Sequence, residues 1–85
     1  MNDAKQEIQE KLTQILTECL PDLDADRIRP ESVISRDLGV DSMNFILIIC
    51  RTESVFGIRI PEDSWQQIRT VQDAVDKIAE LLPGK

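Results

Sequence analysis

The chain has no histidine. That absence removes Ser–His and Cys–His activation of a nucleophile, and with only two cysteines it leaves no ordinary zinc site. Glycine is scarce at three residues, and the hydrophobic share is 41%. Both figures suit a folded domain rather than wholesale disorder. The longest apolar run, Phe45 to Cys50, is six residues, far short of a bilayer span, so no membrane insertion is expected. Basic residues are outnumbered 10 to 16, for a net charge of −6. Such a surface repels phosphate backbones, which argues against nucleic acid as a ligand. It favours basic protein partners, or serves solubility alone.

What is present makes a small unit. Eighty-five residues predict a single domain over 1–85, expected to be a monomer, burying roughly 60–65% of its unfolded surface. A deep enzyme cleft with a supporting shell does not fit in that volume. Cys19 and Cys50 both fall in apolar helical patterns with no secretion-signal pattern before them. They are expected to be buried, reduced and hydrophobic, in a cytoplasmic protein.

Ile8, Leu12, Ile15, Leu16 and Cys19 lie on one helical stripe, which predicts an amphipathic helix from Ala4 to Leu20. Asn2 or Asp3 is placed to cap it, and Pro21 to end it. From Pro21 to Val40 the period is lost in a long connection. Leu23, Ile28, Val33, Ile34 and Leu38 are its expected pins, with a short helical turn near Ala25–Ile28. Asp22, Asp24 and Asp26 imitate the start of a calcium loop. However, Arg27 stands where that loop needs glycine and Val33 where it needs a bidentate glutamate, so no metal site is expected.

Asp41 and Ser42 then stand where the polar loop meets dense hydrophobicity, as helix starters do. A hydroxyl at the positive end of a helix is a natural place for a phosphate. The segment Ser42 to Phe56 reads as a helix with Met43, Ile46, Ile49, Cys50 and Phe56 on its apolar face, closed by Gly57. Ile58 to Pro61 is an extended link, and Glu62 to Ile68 a short helix anchored by Trp65 and Ile68. Thr70-Val71-Gln72-Asp73 resembles a capping box with Asp in place of Glu. It opens a last helix carrying Val71, Ala74, Val75, Ile78, Leu81 and Leu82, which Pro83-Gly84 should close. The fold class is therefore all-α: a small bundle of three main helices plus one short helix, with a long loop between the first two.

The segment Asp37-Leu38-Gly39-Val40-Asp41-Ser42-Met43 resembles the phosphopantetheine attachment signature of the acyl carrier protein family. The likeness continues without a gap through Phe56-Gly57, Ile60-Pro61 and Thr70 to Asp76, and is weakest over Met1–Pro30. The resemblance implies an acyl-carrier-like bundle without catalysis of its own. Ser42 would carry 4′-phosphopantetheine from coenzyme A, with Asp41 and Met43 beside it. Asp41 is then either the helix cap, a contact for the transferase and its metal, or both. With no base in the chain, a separate phosphopantetheinyl transferase must load Ser42, and acyl-loading and acyl-processing enzymes must use the arm in fatty acid, polyketide or related lipid biosynthesis.

The family shelters acyl chains between its helices, which makes Ile46, Ile60, Trp65 and Ile68 pocket candidates, or else plain core residues. The partner-facing candidates are Arg36, Asn44, Phe45, Leu47, Arg51 and Glu53. Typical fatty-acid carriers display Asp and Glu along the second helix, whereas this chain has Asn44, Phe45 and Leu47 there. Phe45 and Leu47 are either an exposed recognition patch or are covered by the long loop. A specialised carrier is the expectation. The alternatives are an aminoacyl, peptidyl or D-alanyl carrier, or an unmodified carrier-shaped interaction module.

Overall fold

A computed structural model describes residues 3–82. Four helices follow one another: α1 (Asp3–Cys19), α2 (Ser42–Phe56), α3 (Glu62–Trp65) and α4 (Val71–Leu81), with one 3-10 turn at Ala25–Arg27. Among the described residues there is no strand, only an isolated bridge between Val33 and Thr70. The all-α plan with a long first connection is the fold the sequence predicts. The expected cap at Asn2 and stop at Pro83-Gly84 lie outside the described residues, while Asp3 falls inside α1.

Each boundary has a local cause. Asp41 has extended backbone, and its carboxylate accepts the Asn44 N–H, opening α2. Gly57 closes that helix at φ +66°, in the left-handed region where a side chain would be strained. Thr70 and Asp73 form the capping box of α4: the Thr70 side chain accepts from the Asp73 N–H, and the Asp73 side chain accepts from the Thr70 N–H. The short helix α3 ends at Trp65, three residues before the expected Ile68.

α1 packs against both α2 and α4. Its stripe of Ile8, Leu12, Ile15 and Leu16 is buried against Ile48 and Ile49 of α2 and Val71, Val75 and Ile78 of α4. The α2 face differs from the expected one. Ile48, Ile49 and Thr52 are buried with Phe45 and Phe56 packed beside them, whereas Met43 and Ile46 point outward. An all-apolar run offers two faces of similar hydropathy, so periodicity alone could not choose between them. Thr52 tolerates burial because its hydroxyl donates to the Ile48 carbonyl at 2.7 Å. The rotation also corrects the cysteines: Cys50 is exposed and Cys19 only half-buried.

The long connection is pinned as expected by Ile28, Ile34 and Leu38, which are buried, and it is also stitched by polar bonds. Ile34 N–H donates to Arg69 O at 2.8 Å, and Val71 N–H to Ser32 O at 3.0 Å, tying the loop to the start of α4. The buried Ser32 hydroxyl donates to Arg27 O and accepts from Arg29 N–H. Such satisfied polar groups are what allow a long loop to be rigid.

Candidate functional site

The loop delivers Asp41 and Ser42 to one end of the bundle. Val40 is buried and its N–H donates to Ile34 O at 3.2 Å, so the chain is fixed one residue before the cap. Gly39 turns into that anchor at φ +68°. Asp37 holds the loop from within: its carboxylate accepts the Val33 N–H at 2.8 Å and the Arg36 guanidinium at 3.3 Å. The Val33 amide first, and Arg36 second, hold the Asp37 carboxyl below its ordinary value of 3.8. Between α1 and α4, Lys5 and then Gln72 do the same for Asp76.

Because both folded values are depressed, these carboxylates contribute stability above their unfolded values and lose it as the pH falls through the folded ones. The urea midpoint should therefore be flat from neutral pH to about 5 and then decline below about pH 4. Asp37→Asn combined with Asp76→Asn should flatten the decline. An unchanged slope in that double variant would remove both carboxylates from the account.

Ser42 is the first residue of α2 and is exposed. Asp41 Oδ1 accepts the Asn44 N–H at 2.8 Å, and Asp41 O accepts the Phe45 N–H at 2.8 Å. Among the described residues, the Ser42 and Met43 amides find no acceptor. A free hydroxyl beside two unused N–H groups at a helix N-terminus fits a phosphodiester.

A cleft of about 590 Å³ opens beside it, between the loop, α2 and α3. The structure brings Ser42, Asp41, Ile46, Trp65 and Ile68 together on its wall. Ile60 is placed elsewhere, buried at the back of the core. The sequence reading missed Ser35, Glu62, Gln66 and Arg69, whose side chains give the cleft a polar rim. Their signal was position on either side of the Ser42 motif, which only the folded loop makes visible.

The partner-facing candidates divide. Leu47 is 57% exposed and forms an outward patch with Met43 at 75% and Ile46 at 46%. Phe45 is half-buried in the cleft, and Asn44 is half-buried at the cap. Arg36 is exposed and paired with Asp37, and Arg51 is paired with Glu18 at 2.9 Å. Glu53 turns inward: its Oε2 accepts the Ile60 N–H at 2.7 Å.

Residues 10–78 match the family described as "Phosphopantetheine attachment site". An acyl carrier protein of Acidothermus cellulolyticus is 37% identical over 76 residues, 89% of each chain. One from Myxococcus xanthus is 37% identical over 75 residues, 88% of this chain and 94% of the relative. One from Chlorobium phaeobacteroides is 36% identical over 74 residues, 87% of this chain and 94% of the relative. With the helical order, the capped serine and these matches in place, the chain belongs to the acyl carrier protein family, whose cofactor is covalently attached 4′-phosphopantetheine.

Proposed function

We propose that Ser42 Oγ is the attachment point of the phosphopantetheine arm, and that the chain serves a dedicated set of enzymes in the synthesis of fatty acids, polyketides or related lipids. Members of the family are carriers rather than catalysts. The observation that carries the assignment is Ser42 itself: an exposed hydroxyl at the capped start of α2, on the wall of a cleft of about 590 Å³. The Ser42 and Met43 amides would hold the phosphate, while Asp41 keeps the helix end in place through Asn44. The arm's terminal thiol supplies the thioester. Activation of the hydroxyl comes from a separate phosphopantetheinyl transferase using coenzyme A, since no histidine is available to do it.

The outward patch supports the dedicated-enzyme reading. The first turn of α2 carries no acidic side chain, and Met43, Ile46 and Leu47 stand in solvent. Contiguous exposed apolar side chains mark interaction surfaces. An enzyme that reads carboxylates on this helix would find apolar side chains instead.

Two measurements test the proposal. Incubation with a promiscuous transferase and coenzyme A should add one phosphopantetheine mass, and fragmentation should place it on the peptide containing Ser42. For the partners, a fatty-acid-synthase transacylase should load this carrier less efficiently than its usual one. Leu47→Glu should raise its kcat/KM about two- to fivefold, the equivalent of one exposed ion pair at ~0.5–1 kcal/mol. Loading of the wild-type carrier, bearing its arm, as efficiently as the usual one would sink the dedicated-partner reading.

A further inference from the structure

The cleft beside Ser42 adjoins a void in the core that has a volume of about 20 Å³, room for about one water molecule. The two spaces share three wall residues, Ile34, Phe45 and Ile68. Ile34 and Ile68 are buried and tied through their backbones, Ile34 N–H to Arg69 O and Ile68 N–H to Trp65 O. Phe45 stands on α2, and its ring meets Trp65 edge-on with centroids 6.2 Å apart at 79°. Trp65 is itself held, because its indole N–H donates to Ile60 O at 3.0 Å. To pass from the cleft into the core, an alkyl chain must part the side chains of Ile34, Phe45 and Ile68, of which Phe45 is the largest and the one in edge contact with Trp65, and enlarge a tightly packed interior.

We propose that Phe45, braced by Trp65, is a closed door between the Ser42 cleft and the core, so that this carrier holds a short acyl group in the cleft rather than a long alkyl chain between its helices. The inference rests on attachment at Ser42. Within it, Phe45 sets cargo size and Trp65 is a positioning residue that acts through Phe45.

The test compares carriers bearing butyryl, octanoyl and dodecanoyl phosphopantetheine, with intact mass confirming the load. In the wild-type chain, the labelled methyls of Ile49 and Ile78 should shift little and equally for all three, and the urea midpoint should not rise with chain length. In Phe45→Ala the shifts should grow with chain length and the longer chains should raise the midpoint. Trp65→Leu should do the same and serves if Phe45→Ala does not fold. A wild-type response that grows with chain length at Ile49 and Ile78 overturns the door. So does blindness to chain length in both variants. A failure to load overturns the Ser42 assignment instead. The door is then tested on Ser42→Cys, in a Cys19→Ser, Cys50→Ser background, carrying the same alkyl lengths as thiosulfonate adducts and judged by the same two outcomes.

Discussion

Ser42→Ala will gain no phosphopantetheine mass under conditions that load the wild-type chain fully, and its unfolding free energy will stay within about 0.5 kcal/mol of the parent. The two halves of that result have different causes. The hydroxyl is the only atom the substitution removes; it is exposed and its loss leaves no buried group unpaired. Alanine is a good helix former in the first turn, so α2 has no reason to fray. Asp41→Ala should behave differently. It strips the acceptor from the Asn44 N–H and costs about 1 kcal/mol as a lost cap, besides slowing modification. Comparing the two variants separates the chemistry of attachment from the integrity of the helix end. A mass gain that survives Ser42→Ala would move the attachment elsewhere, with Ser35 on the same cleft the first position to examine.

How much of this was legible beforehand depended on the kind of signal. The capped boundaries were legible because they are local chemistry. Asp41, Gly57 and the Thr70–Asp73 box act through bonds to residues within a few positions, and the structure forms each of them. The α1 stripe was legible because polar residues fill its other side, leaving one possible core face. The α2 face was not, because Phe45 to Cys50 is apolar throughout and no polar side marks which face meets solvent. Tertiary contact with α1 decides the rotation, and that information is nonlocal. The same rotation exposes Met43, Ile46 and Leu47, buries part of Phe45 in the cleft, and draws Glu53 back to the Ile60 amide. The rim residues Glu62, Gln66 and Arg69 were illegible for a related reason. They share a cleft with Ser42 because the Ile34 and Val71 amides bind the loop to the head of α4.

Leu16→Ala will lower the unfolding free energy by about 2–5 kcal/mol, a large fraction of the roughly 4–13 kcal/mol expected for a chain of this size. Leu16 is wholly inaccessible, at 0% exposure, and sits on the one helix that packs against both α2 and α4. Its loss would enlarge the existing void, whose walls include Ile48 and Ile49 from α2 and Ile78 from α4. A cavity bordered by three helices cannot close by the shift of any one of them, so relaxation recovers little of the lost contact energy. With a urea slope of about 1 kcal/mol per molar for so small a protein, the midpoint should fall by about 2 M or more. Leu47→Ala removes the same atoms from a side chain that is 57% exposed and should stay within about 0.5 kcal/mol. Equal effects at the two leucines would mean that α2 is rotated from the orientation described. The outward patch and the Phe45 door would then fall together, because both depend on that one rotation.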